Sequence, residues 1–112
     1  GSKCILAPGI ACTDYEVRDI IGPGAGEVYV EVKNGLGYDI ETVSITASGC
    51  TGGSFTNLIK NGNPYIFTAT GCTVTSGKKY SGQINITYTN ADSKLVHKNS
   101  GNLQAVVGSG FI

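Results

Sequence analysis

The sequence has no tryptophan, no methionine and a single histidine, and only 14% of its residues are charged, against roughly 25% in ordinary soluble domains. Each shortage excludes something. Without tryptophan, the Cys–Trp–Cys core of an antibody domain cannot be built. Eight basic and eight acidic residues give a formal net charge of zero. The bases are scattered, with only Lys78-Lys79 adjacent, so no basic stripe steers the chain toward nucleic acid. The longest apolar run, around Ile5-Leu6-Ala7, stops at Pro8-Gly9, far short of the ~20 residues of a spanning helix. Membrane contact is therefore expected only through a removed N-terminal anchor.

What is present is polar without being charged. Thr, Ser, Asn and 17 Gly dominate, a composition common in β-rich cell-surface proteins. The length of 112 residues suits one domain and is too short for two good ones. Gly1-Ser2 reads as the scar of a tag-removing protease. This places a single extracellular domain at 3–112 and predicts that the natural chain extends upstream of Lys3.

Four cysteines, Cys4, Cys12, Cys50 and Cys72, form an even set in a short glycine-rich chain, which points to disulfides and an oxidising compartment. No close CxxC knuckle is available for zinc. Four cysteines allow three connectivities. Cys4–Cys12 with Cys50–Cys72 is favoured, because each pair closes a local loop containing turn residues. The chain-entropy model assigns the shorter loop roughly 2.5 kcal/mol and the longer roughly 3.5 kcal/mol. Together they rival the stability of a small domain.

The hydrophobic period is two. Val28, Val30 and Val32 alternate with Tyr29, Glu31 and Lys33 up to the turn signal Asn34-Gly35. Val43, Ile45 and Ala47 alternate with polar neighbours in a strand over 38–48, with Ile40 placed inward. Ile84, Ile86 and Tyr88 line one face of a strand over 80–90. Further strands are expected over 15–21 (core residues Val17 and Ile21), 55–59, 65–70 (covered on both sides), 94–98 and 103–107. Loops or turns are expected at 50–54, 60–64, 90–93 and 99–102. No stretch carries a convincing helical period. Seven or eight short antiparallel strands indicate an all-β, immunoglobulin-like β-sandwich.

Chemistry is sparse. Gly22-Pro23-Gly24-Ala25-Gly26-Glu27 is followed by a strand, not a helix, so it reads as an interstrand turn and not a phosphate cradle. His97 reads as a surface histidine with no nucleophile elbow or orienting acid to work with. Glu27 and Glu31 share a strand face, as solvated surface rather than a glycosidase pair. Asn90, Asp92 and Ser93 are too few ligands for calcium and are ordinary hairpin formers. No catalytic residue, metal or cofactor is expected. Asn85-Ile86-Thr87 is an N-glycosylation acceptor, with Asn85 on the polar face of its strand. The tail Gly108-Ser109-Gly110-Phe111-Ile112 is expected to fray rather than to insert into a neighbour.

The segment Cys4-x3-Pro8-Gly9-x2-Cys12-x-Asp14-Tyr15, the valine strand ending in Asn34-Gly35-Leu36-Gly37, the later Cys50 and Cys72, and the closing Ile86-Thr87-Tyr88, Ser100-Gly101 and Val106 region together resemble the extracellular domains of archaeal pilin-like proteins. The resemblance spans most of the chain. It implies a class III signal peptide and a hydrophobic helix upstream, a filament or surface-attachment role, and like subunits or other surface proteins as partners. It carries over no catalytic residue. The leading expectation is thus a non-enzymatic, cell-surface structural or adhesive module. Its rival is a carbohydrate-binding β-sandwich, for which an exposed cluster of three among Tyr15, Tyr29, Tyr38, Tyr65, Tyr80 and Tyr88 would speak. A secreted enzyme ranks third.

Overall fold

The structure is a computed structural model that describes residues 1–20 and 25–109. Ten strands follow in chain order: β1 (Lys3–Leu6), β2 (Ile10–Asp19), β3 (Gly26–Asn34), β4 (Ile40–Ala47), β5 (Cys50–Gly52), β6 (Ser54–Ile59), β7 (Pro64–Cys72), β8 (Lys79–Asn90), β9 (Val96–Val106) and β10 (Gly108–Ser109). They make two five-stranded sheets, ordered β1-β9-β8-β4-β6 and β10-β2-β3-β7-β5, here called the β9 sheet and the β3 sheet. All pairings are antiparallel except β10 with β2. The seven long strands, β2, β3, β4, β6, β7, β8 and β9, supply the immunoglobulin-like frame. Consecutive strands β3–β4, β6–β7 and β7–β8 cross from one sheet to the other, the Greek-key order of such sandwiches. The three short strands are the excess over the expected seven or eight.

Alternation explains the core. Val28, Val30 and Val32 turn inward with Val17, Phe67 and Ala69 of the same sheet, and meet Val43, Ile45, Ile84, Ile86 and Leu103 from the other. Each such side chain taken from water contributes about 1.5–3 kcal/mol. Ile40 is also buried, at an odd spacing from Val43 on the same face. A period of two forbids this unless an extra residue intervenes. That residue is Thr42, at φ 52°, where the β4 register steps between Glu41 and Ser44.

Several expectations are corrected. The 50–54 stretch is not all loop: Cys50 pairs with Cys72 and Gly52 with Thr70, so β5 adds an edge to the β3 sheet. The first long strand begins at Ile10 and not at Tyr15, with a bulge between Cys12 and Asp14. Ile66 is exposed, so β7 is covered on one side only. The turn expected at 99–102 does not exist. β9 runs unbroken against β8 from Thr89↔Val96 to Lys79↔Val106. There Gly101 serves close approach: a Cβ on it would overlap the carbonyl of Ile5 in β1, its neighbour on the other side. Ile21 and residues 22–24 of the glycine-rich stretch lie outside the described residues, while Gly26 and Glu27 open β3. Of the tail, Gly108 and Ser109 pair with Arg18 and Asp19, and 110–112 lie outside the described residues.

Two disulfides join Cys4 to Cys12 and Cys50 to Cys72. Their mechanical positions differ. The first ties β1 of the β9 sheet to β2 of the β3 sheet, bracketing the Pro8-Gly9 reversal where Gly9 takes φ 107°. The second lies within the β3 sheet and holds the short β5 to β7. Disulfides of this kind accord with an oxidising, extracellular-type environment.

Candidate functional site

The outward positions of the two sheets differ in kind. On the β9 sheet, β8 presents Ser81, Gln83, Asn85, Thr87 and Thr89, and β9 presents Ser100, Asn102 and Gln104 directly opposite or nearby. Serine and threonine continue this surface onto β4 at Ser44 and Thr46. Charges on it are few: Lys3, Lys79 and Lys98 against Glu41, which pairs with Lys94 at 3.2 Å. Its margins carry exposed apolar side chains, Ile5 and Val106 toward one corner, Val96 and the β6 residues Phe55 and Leu58 toward others.

The outer face of the β3 sheet is acidic. Asp14, Glu16 and Arg18 on β2 stand opposite Glu31, Tyr29 and Glu27 on β3, and Ile66 and Thr68 on β7 extend the rows. Glu16 receives both the Nε and an Nη of Arg18, at 2.7 and 3.0 Å. The Arg18 hydrogen bond holds the Glu16 carboxyl below its ordinary value, and Glu16 in turn raises Arg18. The guanidinium lies 5.0 Å from the centroid of the Tyr29 ring. Tyr29 donates its hydroxyl to Glu27, and that bond, with burial behind it, pushes the phenol up. Thr13, the extra residue of the bulge, donates to Glu31 Oε1 at 2.8 Å. Between these side chains lies an open recess of about 190 Å³ lined by Asp14, Tyr15, Glu16, Arg18, Tyr29, Glu31 and Ile66. It can accept a cation against carboxylates with an aromatic wall beside it. Among the described residues no three His, Cys, Asp or Glu side chains converge to hold a metal ion.

No protein-family model matches the chain, and no curated protein matches it. The reading of its surface therefore rests on the residues themselves.

The remaining candidates fall into place individually. Asn85 is exposed at the middle of β8, opposite Ser100 and Thr46, with Thr87 on the same face. None of the six tyrosines is fully exposed. Tyr80 and Tyr88 are buried, and Tyr15, Tyr29, Tyr38 and Tyr65 are half-buried, so no three-tyrosine platform forms. His97 is a correction: it is half-buried rather than on the surface, and stacks on Tyr88 across the β8–β9 ladder at 5.5 Å. The Tyr88 hydroxyl is pushed up by burial and by its hydrogen bond with Tyr38. Glu27 and Glu31 do share a face, with Tyr29 between them. Asn90 spends its Oδ1 on the amides of Asp92 and Ser93, capping the hairpin turn rather than offering it to an ion.

Sequence reasoning missed the Arg18–Tyr29 recess. The two β3 residues that line it, Tyr29 and Glu31, were legible from alternation. Their β2 partners were not, because the bulge at Thr13 shifts which β2 residues stand opposite them.

Proposed function

We propose that this chain is a non-enzymatic structural or adhesive module of the cell surface, the head of a pilin-like filament subunit acting through its packing faces. The observation that carries this reading is the outer face of the β9 sheet. It is broad, carries only a few charges, is built mainly from Thr, Ser, Asn and Gln, and is bordered by Ile5, Phe55, Leu58, Val96 and Val106. Such a surface suits protein–protein packing, with short hydrogen-bonding side chains in the middle and apolar ones at the margins. Two disulfides make the scaffold beneath it stiff and fit for an oxidising exterior. Against the carbohydrate-binding alternative stands the lack of an exposed cluster of three tyrosines: two of the six are buried and four half-buried.

The test is immunogold electron microscopy of intact source cells with antibody raised to the domain. Gold in rows along filaments is the expected result. Gold scattered over the envelope with no filament beneath it would overturn the filament role.

A further inference from the structure

The chain is neutral overall, yet its charge is divided between its two broad faces. Asp14, Glu16, Glu27 and Glu31 against Arg18 and Lys33 leave the outer face of the β3 sheet negative. Lys3, Lys79 and Lys98 against Glu41 leave the outer face of the β9 sheet positive. These faces lie on opposite sides of one sandwich and point away from each other.

We infer that copies of this chain stack head to tail, the acidic face of the β3 sheet of one copy seated on the lysine-bearing face of the β9 sheet of the next. The inference rests on the like-subunit reading above and names the surfaces it would use. Charge complementarity identifies the occupant, because a second copy is the one partner certain to carry the matching face at equal concentration. Symmetry then decides the arrangement. Two-fold pairing of either face with itself would set like charge against like, whereas a face-to-opposite-face contact is heterologous and leaves a free face at each end for the next copy. Size permits it too: the molecule measures 43 by 25 Å across its two longer axes, enough for the ~800 Å² per partner of a standard interface.

The recess around Tyr29 gives the contact a focus. Arg18 also lines this opening, paired with Glu16 and lying over Tyr29. A lysine ammonium arriving from the next copy therefore meets chiefly Asp14 and Glu31, with the exposed Ile66 to take its methylene stem. Lys98 and Lys79 stand on β9 and β8 amid small polar side chains that do not obstruct approach. Asn85 lies in the same field, so a glycan there would cover the face and cap the stack.

The unglycosylated chain tests this by sedimentation velocity at ionic strengths of about 20 mM and about 300 mM, well below and well above the 0.1 M at which screening reaches ~10 Å. Species larger than dimers are expected at low salt and their dissociation at high salt. Lys79→Glu/Lys98→Glu and Glu16→Lys/Glu31→Lys should each weaken association roughly tenfold or more. A mixture of the two variants, whose reversed faces are again complementary, should recover it, and that recovery also shows that both variants fold. A monomeric parent chain at low salt, or association that ignores both salt and charge reversal, overturns the stacking. If filaments are labelled on cells while the chain stays monomeric at low salt, the stacking fails and the filament role stands. If the chain stacks but no filament is labelled, the reverse holds.

Discussion

Asn34 and Asn99 are the buried polar side chains among the described residues, and each guards a place where the chain leaves one sheet for the other. Asn34 ends β3 just before the crossing to β4. Its Nδ2 donates to the carbonyls of Tyr38 and Ile59, and its Oδ1 accepts from the Leu36 amide. Asn99 stands in the middle of β9 and reaches sideways to the β1–β2 crossing. There its amide takes both the N–H and the C=O of Ala7, each at 3.0 Å, as a neighbouring strand would. That crossing is also closed by the Cys4–Cys12 bond and by the close approach of β1 to Gly101. The first corner has one buried side chain at its centre, with exposed bonds such as Gly37 to Asn61 and Asn61 to Asp39 around it. The second adds a disulfide and a close strand approach to its buried side chain, so equal chemistry should carry unequal consequence.

The largest effect is expected from Asn34→Ala. It strands the buried Ile59 carbonyl and the half-buried Tyr38 carbonyl and Leu36 amide, at about 1–3 kcal/mol each before relaxation, so a loss of about 4 kcal/mol should appear in denaturant unfolding. Gly101→Val comes next, at about 3 kcal/mol. It should also raise hydrogen exchange selectively in β1, because the new side chain meets the Ile5 carbonyl. Asn99→Ala should cost about 2 kcal/mol. Its effect should couple to the double change Cys4→Ser/Cys12→Ser, because both act on one crossing; strict additivity would show that the two do not share a task. If Asn34→Ala and Asn99→Ala prove equally costly, the contrast between the corners is wrong.

The smallest effect supplies a control away from both corners. Tyr80 donates to the Ser48 carbonyl at 2.6 Å, and burial raises its phenol above the ordinary value. A raised acid is favoured neutral in the fold. Its contribution is therefore complete below the unfolded phenol pKa of about 10 and is lost as pH climbs through the higher folded one. Tyr80→Phe should cost about 1 kcal/mol at neutral pH and flatten the alkaline decline, leaving the parts due to Tyr88 and Tyr29, which are raised in the same sense.

The two corners also show why parts of the fold were legible and others were not. Asn34-Gly35 and Asn99-Ser100-Gly101 are both turn compositions. The first ends a strand. The second lies inside one, because Asn99 and Gly101 are suited to holding a crossing and admitting β1, needs that only the neighbouring strand defines. The valine strand could be read directly, since its alternation is local, and so could the cysteine pairs, since each closes a short loop. Ile40 sits inward as expected, but the Thr42 bulge that puts it there has no local signature. The acidic recess was hidden for the same reason: it depends on a register that the Thr13 bulge resets.

The Cys4–Cys12 bond also determines how the domain answers a pull on its N-terminus. Tension entering at Lys3 meets the bridge one residue later and passes straight into β2, which is laid along β3 over most of its length. Residues 5–11 are taken out of the path, so β1 cannot be peeled from β9 beyond its second residue, and about 25 Å of extended chain stays stored. Under reducing conditions the same tension would unzip β1 and release that length. With the bridge intact, that length is withheld and the load falls on the β2–β3 ladder.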